Sequence, residues 1–162
     1  MHGVMQCDWS RNLRLVWQVW GMATAQQIGA RSRRKGAAFE LLVAKAFAEV
    51  FDGTKRGIGQ ARSAKEVSDV EGTTFWIECK HRKDVNVLKA LEQARRDTDG
   101  RPCLVVWRKH QQSVMVSTDM ATFMGTFSDT FPNHNDASTG DALVHMELSQ
   151  FLGLLKGGWY WS

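Results

Sequence analysis

Across residues 36–51 the apolar positions are Phe39, Leu42, Val43, Ala46, Phe47 and Val50. Steps of three and four predict an amphipathic helix with those six side chains in the core. Asp52-Gly53 ends it, with Gly53 as a left-handed cap. Residues 54–58 suit a short edge strand. The period then changes to two. Phe75, Ile77 and Cys79 fall on one face of a strand and Trp76, Glu78 and Lys80 on the other, so one face is expected buried and the other charged. A second helix is predicted over 86–98, with Asn86 as N-cap. Val87, Leu91 and Ala94 share its apolar face, and Gln93 lies off that face beside Ala90. Asp99-Gly100-Arg101-Pro102 reads as a turn. Residues 103–107 are continuously apolar, as a central strand buried on both faces would be. A turn at 109–112 sends a further strand, 113–117, back beside it. Thr118-Asp119 caps a short helix over 120–127. A polar loop fills 128–141, and a last helix spans 146–155. Helix, three strands, helix, two strands and helices make an α/β fold, a mixed sheet flanked by helices.

The chain has 162 residues, enough for one domain with a real core. It divides into an N-terminal extension over 1–30, a core over 31–127, and a loop, helix and aromatic tail over 128–162. Residues 1–21 carry Trp9, Trp17 and Trp20 with Arg11 and Arg14. This stretch is too short and interrupted to span a bilayer and lacks a secretory cleavage pattern. Met22-Ala23-Thr24-Ala25 resembles a translation start, so 1–21 is expected to be an upstream extension, poorly ordered or a marginal amphipathic helix. A net charge of +4 and a pI near 9.1 suit a polyanionic partner. The charge is uneven: Arg31, Arg33, Arg34 and Lys35 precede the first helix, and Lys80, His81, Arg82 and Lys83 end the alternating strand. Cys7, Cys79 and Cys103 show no disulfide framework, so a reducing cytoplasm is expected. Cys79-x-His81 is not read as a zinc site, because alternation turns both side chains to the buried face and no CxxC partner exists. Gly57-Ile58-Gly59 forms neither a dinucleotide fingerprint nor a P-loop. Gln60, Arg62 and Ser63, just ahead of Asp69, are either phosphate contacts or an ordinary polar loop.

The residues that point to chemistry lie between 69 and 80. Asp69 and Glu78, on neighbouring strands, are hard oxygen donors of the kind Mg²⁺ accepts, and the Cys79 carbonyl is a third. Lys80 shares a face with Glu78. There it can orient a water, take its proton, or stabilise charge building on phosphate. Glu40 sits at the edge of the first helix's apolar stripe. It either leans toward the sheet or is an ordinary first-turn glutamate favoured by the helix dipole.

Ser68-Asp69-Val70 followed by Trp76-Ile77-Glu78-Cys79-Lys80, with the upstream Lys35-Gly36-Ala37-Ala38-Phe39-Glu40 helix start, resembles the PD-(D/E)xK nuclease superfamily. Within it the pattern is most similar to archaeal-type Holliday junction resolvases and their phage-encoded relatives. The resemblance covers roughly residues 31–117. Ser68 stands where the family name has proline. The resemblance implies a restriction-endonuclease-like fold and Mg²⁺-dependent endonucleolytic cleavage of DNA, with Mn²⁺ able to substitute. Branched DNA is the leading substrate, and a homodimer is implied because a resolvase cuts two strands symmetrically. Asp69 and Glu78 would bind metal with the Cys79 carbonyl, Lys80 would serve the water, and Glu40 would hold the metal's water shell or a second ion. Arg33, Arg34, Lys35, Gln60, Arg62, Ser63, His81, Arg82, Lys83 and Gln93 are the candidate DNA contacts. An exonuclease or restriction-type enzyme on linear duplex, or a non-catalytic DNA-binding module, stays open.

Overall fold

The computed structural model describes residues 24–57, 67–127 and 142–157. Residues 1–21, the Gln60, Arg62 and Ser63 loop, the 128–141 loop and the aromatic tail lie outside the described residues. The chain divides into two compact units, residues 1–34 and 35–162.

The first unit carries the start of helix α1 (Ala25–Phe47). The helix begins well before Gly36, where the apolar stripe starts. Thr24 and Gln27 form a capping box: the Thr24 amide donates to Gln27 Oε1 at 2.9 Å and the Gln27 amide to Thr24 Oγ1 at 3.3 Å. That exchange satisfies donors a helix start otherwise leaves unpaired. Ile28 is 55% exposed, so capping and propensity, not burial, extend the helix here.

In the second unit α1 buries Phe39, Val43, Ala44 and Phe47. Leu42, expected in the core, is 40% exposed. The buried stripe is rotated toward Ala44, which moves Leu42 out and turns Glu40 toward the sheet. After Phe47 one more turn continues to Phe51, whose amide bonds Phe47 O at 2.9 Å, so Val50 and Phe51 still pack on the core. Gly53 then takes φ +78°.

A six-stranded sheet follows in chain order: β1 (Lys55–Arg56), β2 (Val70–Glu71), β3 (Trp76–His81), β4 (Cys103–Arg108), β5 (Met115–Asp119) and β6 (Leu143–Glu147). Only β3 and β4 run parallel; the other neighbours are antiparallel. Helix α2 (Val87–Asp97) makes the β3–β4 crossover. Its N-cap Asn86 accepts the Lys89 amide at 2.9 Å. Helix α3 (Met120–Thr126) starts at Asp119, which accepts the Thr122 amide at 2.6 Å, and α4 (Leu148–Leu155) ends the described chain. Among the described residues the fold is mixed α/β, a six-stranded mixed sheet flanked by four helices.

Two expected element boundaries need correction. The last helix begins at Leu148 rather than 146, because 143–147 is a sixth strand along β5. The Leu148 amide bonds Val114 O at 2.8 Å and fixes the strand-to-helix junction. The strand expected over 113–117 runs Met115–Asp119, set by pairing to β4 and β6.

The core has two sides. Phe75 and Ile77 of β3, with Leu104 and Val106 of β4, pack against α1 and α4. Phe151 touches three rings there, Phe47, Phe75 and Phe127, at 6.3, 5.9 and 5.7 Å. Trp76, Cys103 and Val105 pack against Ala90, Leu91 and Ala94 of α2. β3 is therefore buried on both faces at its start, not one. It emerges from the core only toward its carboxyl end, where Glu78 to His81 are half-buried.

Candidate functional site

Asp69 is held by the backbone around it. The Gly57 amide donates to Asp69 O at 2.9 Å and the Asp69 amide to Ile77 O at 3.0 Å. Ser68 is buried beside it. Its hydroxyl accepts the Ile77 amide at 2.9 Å and lies 2.8 Å from Val70 O and 3.1 Å from Ile77 O, one of which takes its proton. Ser68 thus stitches β2 to β3. Gly57 is needed for this approach, since a Cβ there would lie 2.1 Å from Ser68 O. Gly72 closes the β2–β3 turn at φ +81°, with Gly53 O where a Cβ would meet it at 2.5 Å.

The Asp69 carboxylate reaches past the end of β2. Its Oδ2 accepts the Cys79 amide at 2.7 Å. A strand residue's N–H and C=O project to the same edge, as paired residues exchange both bonds. The Cys79 carbonyl therefore also faces the Asp69 edge, where β2 has stopped. On the α2 face, Lys80 Nζ donates to Glu78 Oε1 and, at 3.3 Å, to Gln93 Oε1 of α2. The Glu78 and Lys80 side chains keep 12% and 19% of their exposure, so neither is sealed inside. Arg56 of β1 donates through Nε to Glu40 Oε2 at 2.6 Å.

The carboxylates feel one another. Burial, then the Glu78 charge and also that of Glu40, push the Asp69 carboxyl up to about 7; the Cys79 amide and Lys80 oppose this and lose. Burial, then Asp69, Glu40 and Glu78, hold the Cys79 thiol well above its ordinary value. In the metal-free protein that thiol stays protonated.

The structure thus brings together Glu40, Asp69, Glu78, Lys80 and Gln93. Arg82 and Lys83 are exposed in the bend after β3, and Lys35 is exposed on α1. Arg33 and Arg34, also exposed, belong to the first unit. His81 is half-buried against Phe39, ring centroids 5.1 Å apart. Sequence reasoning missed Arg56, which holds Glu40, and Trp107, the register partner of Lys80 on β4. Trp107 lines an open groove of about 800 Å³ with Val87, Met115, Leu143 and His145. Only strand register could have revealed either residue.

Among the described residues no group of three or more His, Cys, Asp or Glu side chains is arranged as a metal-ligand set. Two carboxylates and a main-chain carbonyl remain at the Asp69 edge. That donor chemistry fits Mg²⁺, which takes one or two protein carboxylates and fills its shell with water and substrate phosphate. The charge crowding at Asp69 is the repulsion a divalent cation relieves. Among the described residues no helix is long and apolar enough to cross a membrane. Comparison of the chain with family models, with curated proteins and with solved structures finds no match.

Proposed function

We propose that this protein is a metal-dependent DNA endonuclease of the PD-(D/E)xK type that hydrolyses phosphodiester bonds, with branched DNA as its leading substrate and a homodimer as its working form. One observation carries the reading. A carboxylate with its pKa raised to about 7 by burial and by two neighbouring acids sits at the same strand end as a lysine bonded to one of them. Clustered carboxylates repel phosphate, so a chain that only bound DNA would gain nothing from them.

In this reading Asp69, Glu78 and the Cys79 carbonyl would hold the Mg²⁺ or Mn²⁺. The cation supplies Lewis-acid polarisation of phosphate and a more acidic water. Lys80, fixed between Glu78 and Gln93, offers its remaining N–H to the attacking water or to a phosphate oxygen gaining charge. Attack forms the new P–O bond as the bond to the leaving sugar oxygen breaks, and the water's proton passes to solvent or to that oxygen. Arg56 keeps Glu40 turned toward the cluster, where it orders water at the edge of the site.

The test is cleavage of an end-labelled four-way junction beside its linear arms, with Mg²⁺, Mn²⁺ or EDTA, for wild type and Lys80→Ala. The reading expects metal-dependent cuts that the junction enhances, lost in EDTA and reduced at least about 100-fold in the variant. Equal cutting of linear arms points to an exonuclease or restriction-type enzyme. Failure to cut any DNA form with either metal overturns the enzyme and leaves the binding module.

A further inference from the structure

A second charged cluster lies at the carboxyl ends of the parallel pair β3 and β4, on the α1 face. His81 and Arg108 are register partners across that pair. Both rest on one ring: Phe39 lies 5.1 Å from the His81 ring and 5.3 Å from the Arg108 guanidinium carbon. Lys35 stands four residues before Phe39 and so on the same side of α1. His110 follows two residues after Arg108. Lys35, Arg108 and His110 all lie near enough to act electrostatically on His81, and no acid is among the groups acting on it. Among the described residues none of the four basic groups forms an ion pair.

Hydrogen bonding leaves the same place unfinished. His81 Nδ1 and Arg108 Nε are buried without a partner; among the described residues the only other such side-chain atom is Trp76 Nε1. Buried polar groups are nearly always bonded, and each exception asks for an explanation. The cationic Lys35 and Arg108, with two imidazoles beside them and an aromatic ring beneath Arg108, make a setting that an oxyanion completes.

We propose that Lys35, His81, Arg108 and His110 form a phosphate-binding site that grips the DNA backbone beside the scissile position. The DNA as ligand rests on the nuclease reading; the affinity for a phosphate group does not. At the rise of a strand, about 3.3 Å per residue, His81 stands about 7 Å beyond Cys79. One nucleic-acid strand crossing the ends of β3 and β4 can therefore present one phosphate to Asp69 and Glu78 and a neighbouring one to this cluster. The bound strand supplies acceptors to the exposed Lys35 ammonium and to the terminal nitrogens of Arg108. It also places the site's positive charge next to, rather than within, its acid cluster, so that backbone attraction offsets carboxylate repulsion.

The experiment measures DNA binding in EDTA, so cleavage plays no part. Labelled four-way junction and linear duplex are titrated from 50 to 200 mM salt with wild type, Arg108→Gln, His110→Asn and the charge-matched control Lys156→Gln. Arg108→Gln is expected to bind about tenfold more weakly and to reduce the slope of log K against log salt by about 1, with His110→Asn weaker by a few-fold. His110 is exposed, so its variant keeps the test alive if Arg108→Gln misfolds. A parallel titration with inorganic phosphate follows the His81 and His110 ring signals. Wild-type binding with unchanged affinity and slope in both variants overturns the site and leaves the nuclease reading intact. Phosphate-induced shifts without DNA binding overturn the DNA grip and make it a free-phosphate site. Cleavage failing in the junction assay while Arg108 still governs binding sinks the enzyme and keeps this site.

Discussion

Replacing Asp69 with asparagine is expected to stabilise the metal-free protein at pH 8. The carboxyl stands at about 7 in the fold against 3.8 for the free side chain, chiefly from burial and then from Glu78. Asparagine carries no charge to bury, yet its side-chain oxygen can still accept the Cys79 amide. The sign follows from proton counting. Between the two values the folded chain holds a proton that the unfolded chain has lost, so wild-type stability falls as pH rises through that window, and the full cost is reached above pH 7. A difference of about 3 units at about 1.4 kcal/mol each gives a ceiling of about 4 kcal/mol. Water entry and side-chain relaxation screen the charge, which brings the expected gain to about 2 kcal/mol. At pH 5 the linkage leaves under half of it. Urea unfolding of both proteins in EDTA at pH 8 and pH 5 reads this directly. An asparagine variant no more stable at pH 8, or equally advantaged at both pH values, would refute the electrostatic reasoning and with it the crowding of acids around position 69.

Three other substitutions probe the frame that holds the site. Gly57→Ala forces a Cβ to within 2.1 Å of Ser68 O, and urea melts should show a loss of about 2–3 kcal/mol as β1 separates from the Asp69 segment. Phe151→Ala removes the ring that touches Phe47, Phe75 and Phe127, and calorimetry should record about 3–5 kcal/mol lost. Arg95→Ala deprives buried Asp119 of its 3.0 Å partner, at about 1–2 kcal/mol near pH 7. Burial would raise the Asp119 carboxyl, but the Thr122 amide and Arg95 outweigh it and hold it low. That stability is present above the ordinary carboxylate value and lost as pH falls through the folded one, so the variant's deficit should shrink in acid.

How far the sequence disclosed this arrangement depended on the range of the interaction involved. Phe39, Val43 and Phe47 announced their helix because spacing along one helix decides which side is apolar. The alternation of Phe75 to Lys80 correctly separated Ile77 and Cys79 from Glu78 and Lys80. Leu42 was misplaced because the packing of α1 on the sheet rotates the buried stripe, a tertiary effect. The strand at Leu143–Glu147 was missed since Leu143, Val144 and Met146 show no clean alternation; its pairing with β5 defines it. The early start of α1 was in fact written locally, in Thr24 and Gln27, and could have been read as a capping box. At the site, Asp69, Glu78 and Lys80 were legible as residue types on adjoining strands. Arg56 against Glu40 and Arg108 beside His81 were not, because each pairing depends on register between segments far apart in sequence.

The sheet lists its strands in the order the ribosome makes them, with a single crossover at α2. Hairpin-like neighbours can zip as they emerge, but β3 must wait, one edge bare, until the whole of α2 and then β4 have been synthesised. Loop closure across that interval carries an entropic cost that a tight hairpin avoids. Nascent chains stalled between 82 and 102 should consequently be the species most prone to capture by chaperones or to self-association, with Trp76 and Ile77 still bare.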